Sequence, residues 1–337
     1  MENPHTARPT LTPVEIPPAG TARGLVTDLI RLARPRQWTK SAFVLVGPIY
    51  GLSDPAAVGR DWRQVIPGAL VAACAFALVS SACYVVNDIS DAEKDRLHPR
   101  KKHRPVASGA VTPAAAWVFA GALVAAGVGM LSLLLVTQRD EGGPRAVLWT
   151  LLTVGVYAAN VTLYSYRFKH AVMADVISLS LGFVVRVLGG CAAAWVMPST
   201  WLLNVTFFLA MFLAFCKRLG ERRVMEARGA DPAAVRGVQR VYTQELLRMS
   251  VVVTAVATLV TYSLYIQAHD ARYTHGFNLL WLTMLPATYG LLRAIVQVER
   301  GEFDDPTELV TRDWRIQVAG AAFVAIAGVL TVWTPGS

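Results

Sequence analysis

The residues best equipped for chemistry form one stretch, Asn87-Asp88-Ile89-Ser90-Asp91-Ala92-Glu93-Lys94-Asp95, which follows a long apolar run directly. On a helix, Asp88, Asp91 and Asp95 stand at i, i+3 and i+7 and share a face. Asn87 lies four residues before Asp91 and borders that face, whereas Glu93 points elsewhere. Carboxylate and amide oxygens in this pattern suit Mg²⁺, which keeps several waters and is completed by substrate phosphates. Without a cation, carboxylates this close repel one another. The plainer alternative is a solvated helix end in which Asp91 pairs with Lys94. The cost of desolvating Asn and Asp at the mouth of an apolar segment argues against it.

Cations follow at once: Arg96, Arg100, Lys101, Lys102 and Arg104. They read as a phosphate cradle or as an anchor to anionic lipid, and their adjacency to the acidic face favours the cradle. His98 and His103 have no His or Cys at ligand spacing. Tyr164-Ser165-Tyr166-Arg167-Phe168-Lys169-His170 is either an interfacial aromatic belt or a segment that brings Lys169 to a phosphate. Lys217 and Glu221 stand at i, i+4 and could pair; the alternative is that Lys217 and Arg218 grip an anionic substrate while Glu221 orients a cation or a sugar hydroxyl. Asp175 and Arg186 lie about 16 Å apart along one helix. They cannot meet, so Arg186 needs a partner from another helix or an anionic ligand. The acidic residues between Glu302 and Asp313 read as a solvated loop, with closure over the site as the alternative.

These groups must be positioned by a membrane scaffold. Of 337 residues, 54% are hydrophobic and only 16% charged, and the mean hydropathy is +0.42. A soluble chain carries about 25% charged residues. The composition predicts an all-α polytopic membrane protein. Nine apolar spans are expected, at 38–52, 64–87, 113–136, 146–165, 171–195, 200–216, 247–267, 277–298 and 316–333, judged against the roughly 20 residues needed to cross a bilayer. Gly24 to Arg34 reads as an amphipathic helix on the membrane surface, with Leu25, Val26, Leu29, Ile30 and Ala33 on one stripe. Residues 1–22 contain five prolines and no apolar core, which predicts a disordered tail ahead of one transmembrane domain at 23–337.

Charge sets the expected orientation. With nine spans, Arg60, Arg63, Arg139, Arg145 and Arg272 fall on one side, Arg186 lies within a span, and every other Lys and Arg falls on the opposite side. The positive-inside rule then places the N-terminus and all the segments above in the cytosol, under a plasma membrane. The net charge of +9 belongs to those loops and implies no nucleic-acid partner. Cys74, Cys83, Cys191 and Cys216 all sit in apolar runs, without disulfide or zinc spacing. Nucleophile motifs are missing. The remaining chemistry is departure of a metal-bound diphosphate from carbon, with electrostatic stabilisation of a cation-like transition state and a lipid as one substrate.

Asn-Asp-x-x-Asp-x-x-x-Asp at 87–95, after the second span, resembles the first acidic motif of UbiA-type prenyltransferases, and nine spans agree with that fold. Most members carry a second Asp-rich motif after the sixth span. Here that place holds Cys216-Lys217-Arg218-Leu219-Gly220-Glu221-Arg222-Arg223. With Arg34-Pro35-Arg36-Gln37-Trp38-Thr39-Lys40, the 98–105 segment and Phe168-Lys169-His170, it is similar to the branch of the superfamily that transfers phosphoribose to decaprenyl phosphate for arabinan in the cell wall. The resemblance implies Mg²⁺ as cofactor, soluble 5-phosphoribosyl 1-diphosphate (PRPP) as donor, and a polyprenyl phosphate from the membrane as acceptor. It implies Asp88 and Asp91 as core metal ligands, supported by Asn87 and Asp95. Arg96, Lys101, Lys102 and Arg104 would meet the donor's phosphates. Lys40, Tyr164, Lys169, Arg186, Lys217 and Arg218 would meet substrate, with Lys217 at the reaction centre, and Glu221 would hold ribose hydroxyls. An ordinary prenyl diphosphate donor, or a lipid transporter without catalysis, are the alternatives. A homo-oligomer is compatible with the sequence, which sets neither oligomeric state nor chain length.

Overall fold

The computed structural model describes residues 24–52, 62–97, 101–138, 142–227, 241–268, 273–274, 277–301 and 312–332. The tail at 1–22, His98 to Arg100, and all but the ends of the 299–313 loop lie outside the described residues.

Helix α1 (Leu25–Ala33) leads through a 3-10 segment (Pro35–Ala42) into α2 (Phe43–Gly51). Then come α3 (Trp62–Ser90), the short α4 (Ala92–Arg96), and α5 (Pro113–Met130), which a 3-10 turn extends into α6 (Leu134–Thr137). The remaining helices are α7 (Gly143–Tyr166), α8 (Ala174–Ala193), α9 (Thr200–Ala227), α10 (Gln244–Gln267), α11 (Met284–Arg300) and α12 (Trp314–Val332). A two-residue antiparallel pairing, Tyr273–Thr274 with Phe277–Asn278, is the sole strand structure among the described residues. Among the described residues, seven helical segments are long and apolar enough to cross a membrane, and Trp314–Leu330 is a shorter apolar helix. The first expected span falls on the 3-10 segment that begins at Pro35 and on α2, which carries Pro48 within it.

Helix starts follow local chemistry. Thr112 caps α5 through the Ala115 N–H at 3.2 Å, with Pro113 in the first turn, and Thr243 caps α10 through the Leu246 N–H at 3.1 Å. The outer faces are apolar and exposed, as at Val118, Trp149, Val253 and Val324. On α1, Leu25, Val26 and Ile30 of the expected apolar stripe are exposed and face away from the bundle, whereas Ala33 of that stripe is buried, Leu29 packs against the core, and Asp28 and Leu32 turn inward.

Helices α2 and α8 meet backbone to backbone. A Cβ at Gly190 would lie 1.8 Å from the Val44 carbonyl oxygen, and one at Gly47 would lie 2.3 Å from Cys191 Sγ. Small residues at such crossings let membrane helices gain contact over their full backbones. Gly190→Val is therefore expected to be at least as disruptive as the worst overpacking changes, about 3 kcal/mol, and to show as loss of the monodisperse folded fraction in detergent.

Near the start of α12, Asp313 accepts hydrogen bonds from Arg293 at 2.9 Å, from Gln297, and from the Arg315 and Ile316 N–H groups. Burial opposes its charge, but these donors outweigh burial and hold its carboxyl below the usual range. A depressed carboxyl stabilises the fold above the unfolded-state pKa of about 3.9 and loses that contribution as pH falls through the folded value. Asp313→Asn is expected to flatten that acid limb of a thermal-stability-versus-pH profile.

Candidate functional site

The acids at the end of α3 sit in two different environments. Asp88 and Asp95 are 2% and 3% exposed. Arg104 Nη1 donates to Asp88 Oδ1 at 3.0 Å and to Asp95 Oδ2 at 2.6 Å, so one guanidinium ties both carboxylates. Arg34 donates to the same Oδ1 of Asp88, and Lys101 Nζ stands 4.0 Å from Asp95 Oδ1. Asp91 is the accessible one. It occupies the turn between α3 and α4, its side chain is 25% exposed, and it accepts from Asn87 Nδ2 at 3.2 Å. Lys169 Nζ lies 3.9 Å from its other oxygen.

Arg34 was not singled out by spacing. It caps α1 in the left-handed region (φ 53°) and stacks over Tyr84 at 5.2 Å. Next to it, Arg31 pairs with Asp28 at 3.3 Å and reaches the His103 carbonyl at 3.4 Å. The membrane-surface helix is thereby fastened to the basic segment. The signals in the sequence were its place at the head of the Arg34–Lys40 segment and its position directly before Pro35, where helices usually stop.

A second cluster forms around Arg218, which is 3% exposed. Its Nε donates to Asp175 Oδ2 at 3.0 Å, Nη1 to Glu221 Oε2 at 3.1 Å and Nη2 to the Tyr164 hydroxyl at 3.3 Å. The Tyr242 hydroxyl donates to Asp175 Oδ1 at 2.6 Å and accepts from the Met173 N–H at 2.8 Å. Burial, and then the bond to Asp175, push the Tyr242 phenol above its usual range and keep it a donor. Each of the three guanidinium nitrogens of Arg218 is thus engaged by a protein group. The half-buried Lys217 is the neighbour oriented differently on α9.

The end of α7 joins the two clusters. Tyr164 bonds Arg218, the Tyr166 hydroxyl lies 3.0 Å from Ser90 Oγ, and Lys169 faces Asp91. The structure therefore brings together Asn87, Asp88, Asp91, Asp95, Lys101, Arg104, Tyr164, Lys169, Arg218 and Glu221. Arg96 is exposed and donates to the Ala107 carbonyl at 3.2 Å, and Lys102 is exposed on the rim. Lys40 lies half-buried in the 3-10 segment. Arg186 is elsewhere, within α8: Nη2 donates to the Tyr157 hydroxyl at 2.7 Å, Nη1 to the Gly182 carbonyl at 3.2 Å, and the guanidinium lies 4.4 Å over the Tyr157 ring. Its partner does come from another helix, α7, and Asp175 pairs with Arg218 instead.

Among the described residues, no three His, Cys, Asp or Glu side chains are grouped as a metal site. The donor set nonetheless fits Mg²⁺. Asn87 and Asp91 offer hard oxygens one turn apart on an accessible rim, and Mg²⁺ typically takes one or two carboxylates and completes its shell with water and phosphate.

The model of the UbiA prenyltransferase family matches residues 47–316. The chain belongs to the UbiA prenyltransferase family. It is 31% identical over 318 residues to the decaprenyl-phosphate phosphoribosyltransferase of Mycolicibacterium smegmatis, covering 93% of this chain and 95% of that one. It is 32% identical over 321 residues to the protein of the same name from Corynebacterium glutamicum, covering 95% and 90%. The UbiA homologue of Archaeoglobus fulgidus bound to GPP and Mg²⁺ superposes with a TM-score of 0.61 at 16% identity, covering 90% of this chain and 99% of that one. A digeranylgeranylglyceryl phosphate synthase superposes at 0.52 with 15% identity, covering 91% and 96%. This member of the family is accordingly a multi-pass membrane transferase, with its α3 motif and α9 segment linked through the end of α7.

Proposed function

We propose that this enzyme transfers the 5-phosphoribosyl group of PRPP to a polyprenyl phosphate, with release of diphosphate, in a Mg²⁺-dependent reaction at the cytosolic face of the plasma membrane. Relatives matched over nearly the full chain are named decaprenyl-phosphate phosphoribosyltransferases, which supports the transferred group and the acceptor class. The observation that carries the reading is the state of the α9 segment. Where a second acidic motif would serve a prenyl diphosphate, the chain has Lys217 and Arg218, and its one nearby acid, Glu221, is bonded to Arg218.

Residue roles follow from placement. Asn87 and Asp91 would hold the metal, with Asp88 contributing through the oxygen its arginines do not use. Bound there, Mg²⁺ would neutralise charge developing on the departing diphosphate. Asp88 and Asp95 hold Arg34 and Arg104 in fixed orientation, and with Lys101, Lys102 and Arg96 these supply bidentate and point-charge contacts to the donor's phosphates. Lys169, with Lys40 and Lys217, brings the acceptor phosphate to C1 of the donor. That phosphate is already ionised near neutral pH, so no general base is needed. Arg218 acts by fixing Tyr164 and Glu221, leaving Glu221 to orient ribose hydroxyls. The positive-inside asymmetry supports nine spans with the N-terminus in the cytosol, where a soluble donor has access.

The test is purified protein with labelled PRPP and polyprenyl phosphate, with and without Mg²⁺, beside a parallel reaction with labelled prenyl diphosphate. Label transfer from PRPP alone is the expected result. Transfer from prenyl diphosphate alone would select an ordinary prenyltransferase, and binding of either without diphosphate release would select a transporter.

A further inference from the structure

The segment that carries Lys169 to Asp91 is held in a strained shape. Between α7 and α8 the chain runs through Arg167, a 3-10 turn at Phe168–His170, and on to Met173, the residue before α8. Met173 has φ 64° and ψ −39°. Positive φ crowds the Cβ of an L-residue against its own backbone, and glycine alone adopts it freely. Among the described residues, Arg34, Met173 and Trp195 are the non-glycine positions with positive φ. Arg34 lies in the left-handed helical well, with ψ 61°, whereas the ψ of Met173 falls outside that well. A residue of this kind keeps its conformation only where its surroundings over-determine it, and such residues concentrate at active sites.

The group that holds Met173 is distant in sequence. The Met173 N–H donates to the Tyr242 hydroxyl at 2.8 Å. Tyr242 is a fixed post. It is fully buried, its ring meets Phe215 of α9 edge-on at 6.5 Å, its carbonyl accepts from Arg222, and Thr243 directly after it caps α10. The same hydroxyl donates to Asp175 at 2.6 Å, which commits its proton and leaves its oxygen to accept from Met173. Tyr242 is thus bonded on one side to the segment that carries Lys169. On the other it meets the carboxylate that orients Arg218, which in turn holds Tyr164 and Glu221.

We infer that Tyr242 is a positioning residue, whose hydroxyl latches the positive-φ turn at Met173 and thereby aims Lys169 at the Asp91 side of the site; the inference rests on the reading above in which Lys169 meets the acceptor phosphate. The 3-10 turn around Lys169 is closed by its own bonds, from the His170 N–H to the Arg167 carbonyl at 3.2 Å and from the Ala171 N–H to the Phe168 carbonyl at 3.0 Å. A change of φ at Met173 therefore swings that turn as a unit against α8. Little tolerance is available. Lys169 Nζ already stands 3.9 Å from Asp91 Oδ1, and a misplacement of about 1 Å is enough to cost a positioned group most of its effect. Glycine at 173 would adopt the turn without the latch. The chain instead carries a Met that packs against the core beside Tyr242, so the aim of Lys169 depends on a hydroxyl presented from the start of α10.

Tyr242→Phe keeps the ring in place and removes the hydroxyl. Met173→Gly makes positive φ free of strain, so the turn no longer needs the latch. Met173→Ala keeps the crowded Cβ and is its control. Wild type, Tyr242→Phe, Tyr242→Phe/Met173→Gly and Tyr242→Phe/Met173→Ala would be assayed in one detergent with PRPP, decaprenyl phosphate and Mg²⁺. Backbone amide exchange across 167–173 would be measured on the same proteins without substrate. Tyr242→Phe is expected to raise KM for decaprenyl phosphate about tenfold, the scale of one charge-assisted contact, while KM for PRPP stays within about twofold. Exchange across 167–173 should quicken. Adding Met173→Gly should return KM for decaprenyl phosphate to within about threefold of wild type, and adding Met173→Ala should leave it raised. A hydroxyl that only stabilised the fold would show no difference between the two double variants. An unchanged KM in Tyr242→Phe, or the same KM in both double variants, would therefore overturn the latch while leaving the reaction intact. A wild type that transfers no phosphoribose would overturn the reaction instead. The exchange rates then decide the latch alone, quicker exchange in Tyr242→Phe supporting it and unchanged exchange overturning it.

Discussion

Asp91→Asn is expected to lower kcat by about 10²–10³, with the residual activity needing more Mg²⁺ for half-saturation. The reason is its setting. Among the three aspartates of the α3–α4 motif, Asp91 is the one that is accessible and not engaged by arginine; its partners are Asn87 at 3.2 Å and the longer contact to Lys169 at 3.9 Å. Replacing it by an amide removes one negative charge and, on the assignment proposed above, would weaken the metal contact that matters most as diphosphate leaves. Several kcal/mol of transition-state stabilisation is the usual worth of such a metal contact, and about 3–4 kcal/mol corresponds to the stated range. Asp95→Asn should behave differently. It frees Arg104 from one of its two anchors, so the main effect should be a higher KM for PRPP and a lower thermal midpoint, at unchanged Mg²⁺ dependence. Steady-state kinetics with Mg²⁺ titration in detergent separates the two. Full Mg²⁺-dependent turnover by Asp91→Asn would remove Asp91 from the metal site.

The second large effect is structural. Arg218→Met leaves the buried Asp175 without its guanidinium and frees Glu221 and Tyr164, and it is expected to destabilise the protein by about 3–5 kcal/mol, the cost of breaking a buried ion pair from one side. Asp175→Leu should cost a similar amount, because Arg218 keeps only the partly exposed Glu221 as counter-charge. Removing both charges together leaves no uncompensated ion beneath the surface, so the double variant should be markedly more stable than the sum of the singles predicts. Unfolding midpoints of the four proteins in one detergent give the coupling directly. Additive losses would show that Asp175 and Arg218 do not depend on each other. Turnover should fall in Arg218→Met and in the double variant, since Tyr164 and Glu221 lose the group that fixes them, and in Asp175→Leu because Arg218 loses the buried carboxylate that orients it.

Much of this protein is written locally. The long apolar runs, set between prolines and charge clusters, marked the helices to within a few residues: the 64–87 and 113–136 spans became Trp62–Ser90 and Pro113–Thr137. Apolar length is a property of the chain alone, since a membrane core admits only backbone that satisfies its own hydrogen bonds. The composition of the motif at 87–105, acids beside cations, was equally legible, because residue type and helical spacing need no tertiary information. The first span is where local reading was weakest, since 38–52 falls short of the roughly 20 residues that cross a bilayer, and the chain there forms a 3-10 segment followed by the nine-residue α2.

What the chain could not state was which charge meets which. Helical spacing put Asp88, Asp91 and Asp95 on one face as equals, but tertiary packing buries two of them under Arg104 and Arg34 and leaves Asp91 accessible. Lys217 and Arg218 looked interchangeable side by side. The rotation of about 100° per residue on α9 turned Arg218 inward to Asp175 and Tyr164. Asp175 and Arg186 shared a helix, yet each found its partner on a different neighbour. Sequence determines the inventory of charges and the helices that carry them. Only the packing of those helices decides the pairing, because an ion in a low-dielectric bundle is stable only beside whatever the adjacent helix presents to it.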